Sequence, residues 1–212
     1  MTPRERTRTT DLIKTTAFLA GLAPLAWLSA RALGGGLGAN PVETITHFTG
    51  DWTLRLLLLT LTASPLRGIS GWQWPLQLRR MLGLYTFFYA CLHATTYFVL
   101  DLELDLGGLA EDVAKRPYIT VGFTAFVLLI PLAATSTRRM IKRLGRHWQR
   151  LHRAVYAIGV LGVLHYLWLV KADLREPLLY AAALLLLLGW RVYRRVLVPR
   201  LNAAARARAA SA

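Results

Sequence analysis

The chain is punctuated by apolar runs of nearly twenty residues, and their recurrence constrains its fold more than any other feature. A soluble domain alternates polar and apolar residues at helical or strand period, whereas a helix crossing a bilayer needs ~20 consecutive, mostly apolar residues. Hydrophobic residues make up 55% of the sequence, and the charges gather in clusters between the runs. Six spans are predicted, at 14–32, 48–66, 80–100, 117–135, 151–170 and 177–197. The second is the weakest, because Arg55 interrupts it, although LLLLTLTASPL continues it. Pro65, Pro117 and Pro177 fall at or near predicted helix ends, where a missing amide donor costs little. The first run, Thr15 to Ala30, has no small-residue cleavage site before the next span, so it is expected to stay as a helix and not to be removed as a signal peptide. The expected fold class is an all-α membrane protein, a six-transmembrane-helix bundle. Residues 1–13 form an N-terminal segment, 14–197 the bundle and 198–212 a disordered tail.

Charge gives the expected orientation. Arg4, Arg6, Arg8 and Lys14 precede the first span, and Arg67, Arg79 and Arg80 lie between the second and third. The stretch TRRMIKRLGRHWQR sits between the fourth and fifth, and Arg191, Arg194, Arg195 and Arg200 end the sixth. The alternate loops are poor in basic residues or acidic, notably DLELDLGGLAED at 101–112. By the positive-inside rule both termini are cytoplasmic. The same distribution accounts for the net charge of +15. Basic residues placed by topology, and not gathered on one soluble face, argue against nucleic-acid binding. They suit membrane lipid and an acidic soluble partner.

Ionisable residues inside a bilayer are expensive and mark function. The acidic residues are expected at span edges or in loops, with no carboxylate at mid-membrane, which disfavours a proton-coupled transporter. Cys91 is the lone cysteine, which excludes a disulfide framework or thiol-based metal site. His93 and His165 fall inside spans, His152 near the cytoplasmic mouth of the fifth, and His47 and His147 in or beside loops. That is too few at any one depth for zinc, which takes about four ligands. Bis-axial heme iron needs only two, and neutral imidazole suits it.

Helix rise sharpens the arrangement. His93 is ~21 Å beyond Arg79 along the third span and about 40° around it, and His165 is ~20 Å beyond His152 along the fifth. Both spans run outward, so His93 pairs in depth with His165, and Arg79 with His152. The pattern suggests an outer site with two histidines and an inner one with His152 and another group. His152 itself reads equally as a ligand or as an interfacial residue facing lipid phosphates. Thirteen residues turn an ideal helix by about 220°, so the two histidines of the fifth span do not share a face. Either a wide turn or kink re-phases them, with Gly159 and Gly162 as candidate positions, or the two sites lie at different azimuths. Arg55 and Arg67 are further candidates to meet heme carboxylates.

The motifs HFTG at 47–50, RRMLGLYTFFYACLH at 79–93, KRPYITVGF at 115–123, LGRHWQRLHRAVY at 144–156 and HYLWLVK at 165–171 occur in order along the chain. Together they resemble the MsrQ family, formerly YedZ, within the ferric-reductase-like transmembrane group. The resemblance implies a multi-pass protein of the bacterial inner membrane, carrying one or two b-type hemes and associated with FMN. It implies His93, His152 and His165 as axial ligands of heme iron, with Arg79 where larger relatives have a fourth histidine. It also implies electron transfer from a cytoplasmic flavin reductase or the quinone pool to a periplasmic molybdopterin-containing methionine-sulfoxide reductase. The chemistry on methionine sulfoxide would then lie in the partner, supporting repair of oxidised envelope proteins. A transporter with structural histidines and a stand-alone ferric-ion reductase are the competing readings.

Overall fold

The computed structural model describes residues 3–170 and 172–200, together with Ala203 and Arg206. The tail expected at 198–212 lies largely outside these residues, as does Lys171 of the HYLWLVK motif. Five long helices correspond to expected spans: α1 (Pro3–Leu33), α2 (Pro41–Ser70), α3 (Trp74–Thr96), α5 (Pro117–Ala134) and α9 (Arg175–Val192), with the short amphipathic α4 (Leu106–Lys115) preceding α5. The fifth expected span, 151–170, corresponds to α8 (Ala154–Leu169), which follows two short basic helices, α6 (Arg138–Leu144) and α7 (Arg146–Leu151). π-helical turns at Tyr97–Asp101 and Tyr193–Leu197 extend α3 and α9. There is no strand among the described residues.

Helix α2 begins at Pro41, well before the expected 48. Asn40 caps it, its side chain accepting from the Glu43 amide at 3.2 Å, and Pro41 at the first position has no amide to leave unpaired. Two expectations change with that start. His47 lies inside a helix and not in or beside a loop, whereas His147 falls beside the Gly145 turn at the start of α7, as expected. Asp51 is set well inside α2 and not at its edge. On the other side, Asp105 caps α4 by accepting from the Gly107 amide at 2.8 Å, so part of the acidic loop is helical.

Helices α2 and α3 form the most extensive pair, and α5 packs on α8. Leu57 and Leu61 of α2, Leu129 of α5, Ile158 of α8 and Leu184 of α9 meet in one buried cluster. Gly159 and Gly162 do not kink α8. They admit Leu184 of α9 and Leu54 of α2 against its backbone, and the helical path is interrupted instead at His152–Arg153, between α7 and α8.

Prolines inside helices free carbonyls that side chains then satisfy. Pro65 has no amide to offer Leu61, and Arg191 Nη2 donates to that carbonyl at 3.2 Å while its other terminal nitrogen donates to the Tyr156 hydroxyl. Beside Pro24, the fully buried Tyr89 hydroxyl enters the α1 ladder, accepting from the Leu25 amide at 3.1 Å and donating to the Gly21 carbonyl at 2.9 Å. In an apolar surround, each such group left unpaired costs about 1–3 kcal/mol.

The outer faces are apolar: Leu179, Leu185 and Leu186 of α9 are each at least 70% exposed, and Phe18 and Leu19 of α1 at least 50%. Thr9–Leu33 and Pro117–Ala134 are long and apolar enough to cross a membrane by length and composition. Exposed apolar faces on this scale suit hydrocarbon as the solvent.

Candidate functional site: a cavity between two histidine-bearing helices

His93 stands near the end of α3 and His165 near the end of α8, and the structure brings them together. Their ring centroids are 6.2 Å apart, with the planes at 77°. Each ring is held by a neighbouring helix in the same way. His93 Nδ1 lies 2.9 Å from the Thr46 carbonyl, and His165 Nδ1 lies 2.7 Å from the Tyr118 carbonyl. A carbonyl only accepts, so Nδ1 donates in both rings and Nε2 keeps its lone pair. Four residues after each carbonyl comes a glycine. A Cβ on Gly50 would sit 3.1 Å from His93 Cε1, and one on Gly122 would sit 2.6 Å from His165 Nδ1. THFTG at 46–50 and YITVG at 118–122 are thus two copies of one device, a carbonyl that orients an imidazole and a glycine that makes room for it. The histidines are visible in the sequence, but only the helix packing reveals what the two glycines are for.

The rings line a cavity of about 720 Å³, within the roughly 300–1,000 Å³ of small-molecule and cofactor sites. Its deep end is apolar, with Leu54, Leu57, Leu129 and Ile158. Its mouth, at the α4 end, is polar, with Glu43, His47, Asp101 and Arg116. Arg116, absent from the sequence candidates, pairs through Nε with Asp112 at 3.0 Å, and the Tyr97 hydroxyl donates to the other Asp112 oxygen. The adjacent Asp112 carboxylate raises the Arg116 pKa above its ordinary value, so the guanidinium is a fixed cation. Asp51 also lines the cavity and pairs with Arg55 at 3.6 Å, while Arg55 Nε donates to the Tyr180 hydroxyl at 2.8 Å. Arg55 and Arg67 are not part of the cavity wall.

The other end is arranged differently. His152 Nδ1 lies 3.1 Å from the Trp148 carbonyl one turn back in its own segment, and Nε2 lies 3.5 Å from Ser136 Oγ. The Trp148 ring stacks on the imidazole at 3.9 Å and 26°. Arg79 lies within charge-interaction range of His152, as the depth arithmetic expects. No second histidine joins them, and no group of three or more metal-binding side chains occurs among the described residues.

Residues 49–163 match the family described as ferric reductase like transmembrane component. Three relatives carry the name protein-methionine-sulfoxide reductase heme-binding subunit MsrQ. The protein from Xanthomonas campestris pv. campestris strain B100 is 53% identical over 196 residues, 90% of each chain. The protein from Azospira oryzae is 52% identical over 204 residues, 95% of this chain and 86% of its own. The protein from Rhodospirillum rubrum is 54% identical over 176 residues, 82% of this chain and 85% of its own. The chain belongs to the MsrQ family. It is therefore a membrane protein, and Gly50, His93 and Gly122 lie inside the stretch that matches the family. No solved structure matches it.

Proposed function

We propose that this chain is the heme-binding membrane subunit of a methionine-sulfoxide reductase system, holding b-type heme between His93 and His165. The observation that carries the reading is the pair of oriented imidazoles. Two metal–nitrogen bonds of about 2 Å plus half a ring on either side add to roughly 6 Å, which the 6.2 Å separation matches. Both Nδ1 atoms are committed to carbonyls, as the outer-shell partners of ligating histidines are. The apolar depth of the cavity suits a macrocycle, and its polar mouth suits carboxylates. A heme with two histidine ligands supplies a one-electron couple and no open position for bond-making chemistry.

The residues do the positioning. Thr46 and Tyr118 hold the tautomer, Gly50 and Gly122 allow the rings close approach, and the leucines of α2 and α5 keep water from the deep wall. The role that fits is electron transfer across a bacterial inner membrane through six spans with both termini cytoplasmic. The donor is a cytoplasmic flavin reductase or membrane quinol, with FMN on the donor side, and the acceptor is a periplasmic molybdopterin-dependent reductase. The basic α6 and α7 then face the donor, and His152 with Arg79 mark the inner electron entry. A transporter reading finds a carboxylate in the cavity wall, Asp51, but that group is already paired with Arg55.

The test is a visible spectrum of detergent-purified protein before and after dithionite, with heme counted against protein. His93→Ala and His165→Ala should each abolish the same low-spin signal. A colourless preparation from heme-replete cells would sink the reading, and rapid reoxidation by ferric ion but by no periplasmic protein would replace the acceptor.

A further inference from the structure

The cavity that holds His93 and His165 has a polar mouth whose wall includes Glu43, Asp51 and Asp101. Asp51 is paired with Arg55, but a ligand carrying carboxylates would still meet Glu43 and Asp101 on entering. Among the described residues of that wall, Arg116 is the one permanently charged cation. We propose that Arg116 is the carboxylate clamp of this site, binding the propionate side of the heme at the mouth and thereby fixing which edge of the macrocycle faces outward. The inference rests on the heme reading of the same cavity.

Three observations carry it. The first is position: Arg116 caps the start of α5, one helical turn and a half before Gly122, on which the His165 ring rests. The second is preorganisation. Arg116 Nε is held by Asp112, and Asp112 is held by Tyr97 at the end of α3, so the guanidinium is fixed by a carboxylate that is itself 9% exposed and tied to the helix bearing His93. A guanidinium carries five N–H donors in a planar fork, so its interactions with Asp112 and with Tyr118 still leave donors for a second carboxylate. The third is polarity. The opposite end of the cavity offers Leu57, Leu129 and Ile158, where an ionised carboxylate would go unpaired at large cost. The carboxylates therefore face the mouth, where Arg116 stands.

The clamp has an electrical consequence. A cation beside the carboxylates favours the state that carries one more electron, and Asp112 opposes it. Arg116→Gln should lower the reduction equilibrium of the heme about tenfold, or 59 mV for one electron, and Asp112→Asn should shift it the other way. If the Arg116–Asp112 pair were only a brace between α4 and α5, both variants would lose heme together and shift the couple alike.

The decisive experiment uses the full chain, purified in detergent from heme-depleted cells and titrated with heme or with heme dimethyl ester, whose carboxylates are blocked. The wild type should bind the ester about tenfold or more weakly than heme. Arg116→Gln should bind both equally, at the strength the wild type shows for the ester, and Arg116→Lys should restore part of the preference. Equal binding of heme and ester by the wild type overturns the clamp. A preference retained undiminished in Arg116→Gln overturns it too, and assigns the carboxylates to another group. Failure of the wild type to bind heme at all is a different result, and defeats the heme reading itself.

Discussion

The two ends of the bundle place histidines under opposite conditions. At the α4 end, His93 and His165 each donate to a carbonyl of a different helix, 47 residues away in sequence in both cases, and each rests against a glycine of that helix. At the α6–α7 end, His152 turns its Nδ1 to the Trp148 carbonyl four residues back and is covered by the Trp148 ring. The first arrangement fixes an imidazole relative to the bundle, and the second fixes it relative to its own segment. A ligand must be held in the bundle's frame if two helices are to share one group, so the difference separates a built pair from a single histidine. Depth matches Arg79 to His152 as well as His93 to His165, but the contacts that hold the rings differ between the two levels.

The largest expected effect that would break this contrast is at Gly122. A Cβ there would lie 2.6 Å from His165 Nδ1, so Gly122→Ala should displace the ring, remove the Tyr118 bond and weaken heme retention at least tenfold, about 1.4 kcal/mol, measured as heme per protein after gel filtration. Gly50→Ala meets its histidine at 3.1 Å, and the ring can yield slightly. A smaller loss with a shifted Soret band is expected, and an effect larger than that of Gly122→Ala would refute the ranking.

Next in size is a stability effect away from both histidine sites. Tyr89→Phe leaves the Leu25 amide and Gly21 carbonyl unpaired beside Pro24, at a cost of about 1–3 kcal/mol, visible as a lower melting temperature with an unchanged heme spectrum. Arg191→Met tests the basic end in the same way by unpairing the Leu61 carbonyl. The smallest effect on the His93–His165 pair should come from His152→Ala, which should leave its spectrum and potential unchanged while slowing reduction by a donor that enters at the α6–α7 end. Loss of half the heme in that variant would show that the inner histidine holds a group of its own.

Much of this was legible before any coordinates. Apolar run length gives the long helices, because the hydrocarbon thickness sets a length that composition alone satisfies. A fixed rise per residue places His93 level with His165. One boundary has a local cause: Asn40 and Pro41 start α2 earlier than its hydropathy suggests. Gly159 and Gly162 looked like hinges because glycine is weak in helices, yet each serves to admit a neighbouring helix.

By itself, the sequence determined the class of the protein, the order of its helices, the clustering of its charges and the common level of His93 and His165. Each of these depends on hydropathy, charge or helix rise, all of which are additive along one chain. Only the tertiary structure decided that Thr46 and Tyr118 would orient the two rings, that Gly50 and Gly122 would seat them, and that Arg116 would stand at the mouth of their cavity. Those facts depend on the azimuth and crossing of helices far apart in sequence. They are properties of packing, and no single segment contains them.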